Sequence, residues 1–379
     1  MNFKLTEEQE AVRQAARDFA QQDLLPGVID RDAKEYFPDD LRRKMAELGF
    51  MGMMVSPEFG GGGMDTISYA LAIEEISKVD ASAAVIMSVN NSLVCWGMEK
   101  YGTPEQKANY LTKVATGVYS GAFCLSEPEA GSDATSQHTK AEDRGDHYVL
   151  NGTKNWITNG STSGIYLVMA QTHPEKKHKG INCLIVEKDQ EGFVIGKKEE
   201  KMGIRGSDTH SLMFNDVKVS KSNRIGEEGF GFNFAMSTLN GGRIGIAAQA
   251  LGIASGAYER ALAYSKERKA FGKAIAEHQA IQFKLADMAM KIDAARFMIL
   301  HAAWLKDNGH PFVKEAAMAK LFASRIAQEV TSEAVQIHGG YGYVREFHVE
   351  RMMRDAKITE IYEGTSEIQH MVIARELLR

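Results

Sequence analysis

The chain has 379 residues, of which 44% are hydrophobic and 25% are charged. This length is enough for two or three domains, and the composition is typical of a soluble globular protein. With 45 basic and 50 acidic residues the formal net charge is only −5, so the charge pattern gives no indication of a nucleic-acid partner.

The cysteines, histidines and apolar runs argue against a disulfide-rich protein, a metal-binding protein and a membrane protein. Cys95, Cys124 and Cys183 are odd in number and widely spaced, which argues against a disulfide framework or a cysteine metal site, and the eleven histidines lack zinc-like spacing. No apolar run approaches the roughly 20 residues that cross a bilayer, so we expect no membrane span. A capping box, Thr6–Gln9, starts a helix close to Met1 with no leader-like segment before it. We therefore expect a cytoplasmic protein without a metal.

Residues 1–118 are predicted to form an N-terminal helical domain. Pro26 ends or bends the first helix, and residues 67–99 are rich in Ala, Ile, Met and Val at the spacing of a buried helix pair. Thr103–Gln106 begins another helix with a capping box. Four consecutive glycines, Gly60–Gly63, are interpreted as a mobile connection, because they lack the following Lys-Ser/Thr of a phosphate-binding loop.

Residues 119–224 are predicted to form a middle β domain. Short apolar or alternating runs recur here, separated by turn-prone pairs such as Asn151-Gly152 and Asn159-Gly160. These runs are residues 119–125, 148–150, 165–170, 181–186 and 211–214. The pattern favours a compact antiparallel β domain.

Residues 225–379 are predicted to form a C-terminal helical bundle. Pro311 is the only proline of this part, and an apolar stripe from Ile281 to Ile292 indicates a long helix. Asn308–Pro311 is the clearest turn between helices. The whole chain is thus expected to be mainly α with a central antiparallel β domain.

Three segments carry residues that core packing does not require. Residues 123–133 leave an apolar strand and enter a loop with hydroxyl groups and freed backbone amides, suited to a planar polar ligand or a phosphate. In residues 154–160, Trp156 and Thr158 share one face of a strand. Residues 336–343 interrupt a helical region with glycines that let a ligand approach the backbone. Taken singly, a turn, a core tryptophan and a helix break would also explain them.

A fourth segment, residues 361–369, places a single carboxylate on the entry loop of the last helix. Glu363 precedes a glycine and lies between Ile361 and Ile368. Ser366 and Gln369 have the spacing of a capping box that begins the helix. Such a carboxylate can point into a pocket, although a surface glutamate near a helix N-terminus would have the same local sequence.

Together and in this order, these segments resemble the acyl-CoA dehydrogenase family over essentially the whole chain. The stretches that carry the resemblance are residues 126–133, 156–160, 268–273 and 362–369. Residues 239–247, which include Gly241, Gly242 and Arg243, are most similar to the short-chain, butyryl-CoA branch. The resemblance implies an N-terminal helical domain, a middle β-barrel-like domain and a C-terminal four-helix bundle.

The resemblance also implies FAD, bound between the β domain and the bundle and reaching a second subunit. The residues it places along the flavin ring and its arm are Phe123, Leu125, Ser126, Gly131, Ser132, Trp156, Ile157 and Thr158. Those it places at the remaining FAD contacts, largely from a neighbouring subunit, are Arg268, Phe271, Gln279, Gln336, Gly339, Gly340, Thr365 and Glu367. A homo-oligomer, a tetramer of the family type, is therefore expected.

For catalysis, the resemblance assigns Glu363 as the base that removes the α-proton of an acyl-CoA thioester, with a pKa raised by desolvation. The β-hydrogen leaves as hydride to the flavin, and the product is the trans-2-enoyl-CoA. The thioester oxygen would accept hydrogen bonds from the Glu363 backbone N–H and a ribityl hydroxyl of FAD. One branch of the family carries its base at the position that is Gly242 here, so Glu363 is the candidate that fits.

The resemblance defines the acyl-CoA substrate and the electron acceptor less closely than the cofactor. The CoA contacts that the resemblance implies are Ser132, Asn240, Arg243 and Gly364. Asn240 stands where relatives usually have aspartate, so it can hydrogen-bond but lacks the charge. We expect a short- or medium-chain substrate and an electron-transfer flavoprotein as acceptor. A branched short-chain substrate, an acyl-CoA oxidase and a non-catalytic acyl-CoA-binding protein are the alternatives.

Overall fold

The N-terminal part of the protein is helical, as predicted. The structure is a computed structural model that describes residues 4–379. The first helix begins at the predicted Thr6–Gln9 capping box, in which each side chain accepts the other residue's backbone N–H. The helices of this part are α1 (Glu7–Phe19), α2 (Val28–Lys34), α3 (Asp39–Glu47), α4 (Thr66–Ser77), α5 (Ala81–Ser88), α6 (Trp96–Tyr101), α7 (Pro104–Gln106) and α8 (Thr112–Ala115). Three of them continue as π-helical turns over Ala20–Leu24, Val89–Cys95 and Lys107–Leu111.

The four glycines at Gly60–Gly63 are held in place by backbone hydrogen bonds, so the prediction of a mobile connection is wrong. The N–H of Gly62 donates to the carbonyl of Gly52 (3.0 Å), and the N–H of Gly63 donates to that of Val55 (2.8 Å). A Cβ at Gly61 would overlap the Val55 backbone. The glycines therefore serve close packing of two chain segments.

One helical stretch, Ala81–Tyr101, is 21 residues long and apolar enough to cross a membrane by length and composition alone. The prediction that no run approaches this length is therefore wrong. In the structure, 94% of its most apolar window is buried inside the protein. Burial of this kind is typical of a core helix, because the other helices and the sheet already cover its apolar surface.

The middle part forms a mixed sheet, where an antiparallel one was predicted. Its strands are β1 (Ser120–Cys124), β2 (Lys140–Asp143), β3 (His147–Thr158), β4 (Ser163–Gln171), β5 (Ile181–Glu187), β6 (Phe193–Lys198), β7 (Thr209–Ser220) and β8 (Arg224–Ile225). They are ordered β6-β7-β3-β2-β4-β5-β8, with β1 beside β4. Most pairs are antiparallel, but β4 runs parallel to β1 and, at Lys140 and Gln171, to β2. The chain between β1 and β4 is long enough for the crossover that a parallel pair requires.

The C-terminal part consists of long helices, as predicted. They are α9 (Gly231–Glu267), α10 (Gln279–Asp307), α11 (Val313–His338), α12 (Val349–Lys357) and α13 (Ser366–Leu377), with a short hairpin of β9 (Lys269–Ala270) and β10 (Lys273–Ala274) after α9. The predicted turn at Asn308–Pro311 lies between α10 and α11. Short 3-10 turns at Gly339–Tyr343 and Ile358–Glu360 interrupt the later helices.

Two hydrophobic cores hold these parts together. The larger core joins the N-terminal helices, one face of the sheet and the C-terminal helices, through residues such as Met87, Ile185 and Ile299. The smaller core lies on the other sheet face and contains Tyr148 and Phe214. Because the larger core crosses both predicted boundaries, at 118/119 and 224/225, the packing does not test those boundaries and they stay predictions.

Candidate active site

The turn that carries Glu363 has a backbone conformation that is uncommon for a residue with a side chain. Glu363 has φ 52° and Gly364 has φ 95°, so two successive residues adopt positive φ between Ile358–Glu360 and α13. The cap of α13 differs from the prediction: Thr365, and not Ser366, is the N-cap, and its hydroxyl accepts the N–H of Ile368 (3.4 Å). This turn places the carboxylate of Glu363 next to Gly242 on α9.

Buried polar side chains hold this turn. The carbonyl oxygen of Gly364 accepts two hydrogen bonds of 2.7 Å, one from Nζ of Lys320 on α11 and one from Nε2 of Gln369 on α13. The hydroxyl of Tyr362 donates to Oε1 of Gln249 on α9. Three helices therefore fix the position of the residues on either side of Glu363.

The Glu363 carboxylate lies in a desolvated position against α9. Its Oε2 is buried and has no hydrogen-bond partner among residues 4–379. A Cβ on Gly242 would overlap this oxygen and lie 3.0 Å from Cδ2 of Leu93. Burial raises the pKa of Glu363 to about 7, and the positive charges of Lys320 and Arg243 oppose that rise. A carboxylate that titrates near neutral pH and lacks a partner is suited to accept a proton.

Arg243 and Asn240, both predicted to contact CoA, lie together on α9. Nη1 of Arg243 donates to Oδ1 of Asn240 (2.8 Å), and the Arg243 Nε is buried without a partner within residues 4–379. Burial lowers the pKa of Arg243 to about 10, which leaves it charged at neutral pH. Asparagine at position 240 therefore keeps a hydrogen bond to the guanidinium group without an opposing negative charge.

The same face of α9 packs closely against the N-terminal helices. Gly245 lies one helical turn after Gly242, and a Cβ there would overlap the hydroxyl of Tyr69 and come within 2.8 Å of Oγ of Ser88. The Tyr69 hydroxyl bonds to Ser88 Oγ (3.0 Å), and both residues are buried. Glycines thus bring α9 close to α4 and α5 beside Glu363.

The residues predicted to lie along the flavin ring follow β1 and end β3. Trp156 has φ 58° at an irregularity in the pairing of β3 with β7, and its side chain is 56% exposed. Thr158 is half-buried, whereas Ile157 faces the smaller core, so only the backbone of Ile157 is available to a ligand. The remaining members of this set are Phe123 and Ser126, which are half-buried, Leu125, which is buried, and Gly131 and Ser132, which are exposed.

A buried lysine joins these two segments. Nζ of Lys154 donates to the carbonyl of Leu125 (3.0 Å), to Oε1 of Glu127 (2.6 Å) and to Oε1 of Gln137 (3.1 Å). The N–H of Asn155 donates to the carbonyl of Ser126 (2.9 Å). The loop after β1 and the end of β3 are therefore held as one unit.

Of the residues predicted for the remaining FAD contacts, three line a cavity of about 720 Å³ between α9 and the end of α11. Its lining includes Arg268, Gly339 and Gly340, and the Arg268 guanidinium lies 5.5 Å from the ring centroid of Tyr341. A Cβ at either glycine would meet no heavy atom within 4 Å. The other members of this set are exposed, except for half-buried Thr365: Phe271 (96% exposed), Gln279, Gln336 and Glu367.

These surfaces fit FAD. An exposed indole with a hydroxyl two residues away suits one face of a flat ring. A cationic side chain beside open glycine backbone suits a diphosphate, which needs positive charge and close approach of N–H groups. The lining of the cavity includes none of the residues of the Trp156 segment, so the two surfaces are separate within this chain.

Three family models match successive parts of the chain: the N-terminal, middle and C-terminal domains of acyl-CoA dehydrogenase, at residues 6–118, 122–217 and 229–378. The chain belongs to the acyl-CoA dehydrogenase family. The short-chain specific acyl-CoA dehydrogenase of Clostridium acetobutylicum is 50% identical over 379 residues, all of both chains. The fold class, the enzyme class (a flavin oxidoreductase) and the FAD cofactor of the family are thereby confirmed.

Two solved structures are similar over the full length of both chains. Butyryl-CoA dehydrogenase from Megasphaera elsdenii is 48% identical with a TM-score of 0.98. A chain in a structure described as the electron transferring flavoprotein of Acidaminococcus fermentans, in work on flavin-based electron bifurcation, is 50% identical with a TM-score of 0.99. The predicted similarity to the short-chain, butyryl-CoA branch is confirmed.

The roles of several residues at the site were not predicted from the sequence. Lys320 and Gln369 hold the Glu363 turn, and Lys154 joins the two flavin segments. The sequence does indicate that Lys320 and Lys154 are unusual, because each is a lysine within an otherwise apolar or strand-like run. Burying a charge there is costly unless it has a defined partner. That signal marks a buried lysine but does not identify its partner.

Proposed function

We propose that this enzyme converts a short-chain acyl-CoA to the trans-2-enoyl-CoA, with Glu363 as the base. The observation that carries this proposal is that Oε2 of Glu363 is buried and has no hydrogen-bond partner within residues 4–379. The α-C–H bond breaks and its proton goes to the carboxylate, while the β-hydrogen leaves with its electron pair and the C=C bond forms. Bound FAD supplies the acceptor for that hydride.

The polypeptide also has to bind and polarise the thioester. We assign the backbone N–H of Glu363 as a donor to the thioester oxygen, because the turn that presents it is held from three helices. Arg243, Asn240, Ser132 and Gly364 are assigned to the CoA side. The charge of Arg243 favours both an anionic ligand and the ionised form of the base.

A short acyl chain is favoured by the packing beside the base. Gly242 and Gly245 bring α9 so close to Tyr69, Ser88 and Leu93 that neither position has room for a methyl group. Similarity to a butyryl-CoA dehydrogenase and to a short-chain specific enzyme supports the same substrate class. A branched short-chain substrate stays the second candidate.

FAD would be held by two separate surfaces. We assign the ring and its arm to the loop after β1 and to Trp156 and Thr158, and the diphosphate and adenine to the surface of Arg268 and the Gly339-Gly340 turn. Because the two surfaces are separate within one chain, the second would come from a neighbouring subunit.

A homotetramer is proposed for the same reason. Helix α10 presents large apolar side chains at seven-residue intervals: Phe283, Met290, Phe297 and Trp304, between 45% and 65% exposed. A second copy of the chain would cover this stripe, as exposed apolar rows of this size mark interaction surfaces. A cytoplasmic location stays a prediction.

The acceptor is proposed to be an electron-transfer flavoprotein, which the similarity to the chain in the Acidaminococcus fermentans structure supports. The alternative is an acyl-CoA oxidase. After anaerobic reduction by substrate, slow reoxidation in air would support the dehydrogenase, and rapid reoxidation would support the oxidase.

The substrate assignment is tested by anaerobic titration of the flavin spectrum with straight and branched acyl-CoAs of graded length. We expect butyryl-CoA to bleach the flavin most readily and long chains to fail, because α9 lies against the N-terminal helices beside the base. Equal bleaching by long straight chains would contradict the short-chain proposal. Protein that is colourless and cannot be reconstituted with FAD would instead favour the non-catalytic alternative.

Arg268→Ala tests the second FAD surface. Loss of the guanidinium group should raise the dissociation constant of FAD by about tenfold or more, because a charge-assisted bond to phosphate contributes about 1.5–3 kcal/mol. Isothermal titration of apoprotein with FAD measures this. Arg144→Ala is the matched control, since Arg144 is exposed and pairs with Glu142 on β2. Unchanged FAD affinity in Arg268→Ala would remove this residue from the cofactor site.

A further inference from the structure

A buried lysine on α11 lies directly against the turn of the proposed base. The Lys320 side chain is fully buried, and its Nζ donates to the Gly364 carbonyl at 2.7 Å. That neutral carbonyl is the hydrogen-bond acceptor of its ammonium group among the described residues. Burying a lysine without a directly paired carboxylate is costly, so the position calls for a compensating role.

The carboxylate whose charge most favours ionisation of Lys320 is Glu363. Burial lowers the pKa of Lys320 to about 8; Glu363 opposes that shift most, followed by Glu360 and Glu367, whereas Arg243 adds to it. Lys320 is therefore positively charged over most of the range in which the enzyme would work. It can act on Glu363 by charge as well as by hydrogen bonding.

The titratable groups around Glu363 are two cations and two neutral phenols. Lys320 on α11 is the larger of the two positive influences that lower its pKa, and Arg243 on α9 is the smaller. Tyr69 on α4 and the adjacent Tyr362 are kept neutral, because burial raises the pKa of each phenol. The two cations are thus the charges that favour the ionised base.

We propose that Lys320 is a positioning residue for the base: it holds the Glu363–Gly364 turn through the Gly364 carbonyl and places a buried positive charge beside the carboxylate. This inference rests on the proposed function of Glu363. The two effects act together, since an ionised base at a fixed position is what proton removal from a weakly acidic thioester requires.

The two effects can be separated by substitution. Lys320→Gln keeps a hydrogen-bond donor and removes the charge, whereas Lys320→Met removes both. Lys306→Gln is the matched control, because burial lowers the pKa of Lys306 to about 8 as well, and its charged neighbours are Asp307 and Lys100.

The measurement is the pH profile of kcat and kcat/KM of the FAD-loaded enzyme with butyryl-CoA and an artificial dye acceptor. For Lys320→Gln we expect the ascending limb to move up by about one pH unit or more, because an adjacent opposite charge shifts a carboxyl pKa by about 1–3 units. At neutral pH kcat should fall by about tenfold and recover largely near pH 9, with KM little changed. Lys320→Met should stay slow even near pH 9, since the turn is no longer held.

Each outcome decides the proposal. A Lys320→Gln enzyme with the wild-type pH profile would overturn it. Failure of Lys320→Gln to fold or to hold FAD, with Lys306→Gln normal, would assign Lys320 to the fold and also overturn it. Failure of the proposed function is recognised separately, because Glu363→Gln would then keep its activity.

Discussion

Glu363→Gln is expected to lower kcat with butyryl-CoA by about 10³-fold or more while FAD stays bound. Glutamine has nearly the same shape but cannot accept the α-proton, and a positioned general base contributes about 10²–10⁴-fold. Steady-state turnover and the flavin content of the purified protein measure the two halves of this result. The hydrogen bonds that hold the turn involve the carbonyls of Glu363 and Gly364 and the hydroxyl of Tyr362, and none involves the Glu363 side chain. The substitution should therefore leave the turn in place.

Glu360→Gln is the control for this result. Glu360 lies three residues earlier, and its carboxylate pairs with Nζ of Lys357 (2.6 Å). It should turn over at a rate close to that of the wild type. If Glu363→Gln were as active as Glu360→Gln, another group would have to be the base.

Gly242→Ala is expected to lower kcat by about 100-fold. The added methyl would overlap Oε2 of Glu363, so the carboxylate would have to move, and a shift of about 1 Å in a reacting group can cost about 10²-fold. Leu93 closes the other side of the space, with Cδ2 3.0 Å from the position of the new methyl. Turnover with butyryl-CoA measures the effect.

The neighbouring glycine of α9 provides a matched control. A Cβ at Gly241 would meet only the end of the Lys306 side chain, at 3.8 Å. Both substitutions replace glycine by alanine inside a helix and should each favour the helix by about 0.5–1 kcal/mol. Gly241→Ala should therefore be at least as stable as the wild type and fully active. Equal activity of the two variants would show that Gly242 does not limit the position of the base.

The helices and the position of Glu363 could be predicted from the sequence because their signals are local. Capping residues such as Thr6 and Thr103 act within one turn, and long apolar periods define buried helices. The motifs around Trp156 and Glu363 are contiguous, so one sequence is enough to recognise them. The FAD and CoA contacts assigned to individual residues remain predictions.

The features that could not be predicted from the sequence depend on contacts between distant parts of the chain. The parallel neighbour of β1 is β4, and nothing within Ser120–Cys124 indicates it. Strand β2 was missed because only Ala141 of its four residues is buried. The glycines at Gly60–Gly63 resemble a flexible link until the backbone of Gly52–Val55 is placed against them. The same reason hides Lys320, whose acceptor lies 44 residues away.

The most direct test of proton removal by Glu363 compares butyryl-CoA with its α,α-dideuterated form in anaerobic single turnovers followed by flavin bleaching. The wild type should bleach more slowly with the deuterated substrate, and its rate should rise with pH through the pKa of Glu363, near 7. Glu363→Gln should bleach about 10³-fold more slowly or not at all. A Glu363→Gln enzyme that bleaches at the wild-type rate, with the same isotope effect, would contradict the account.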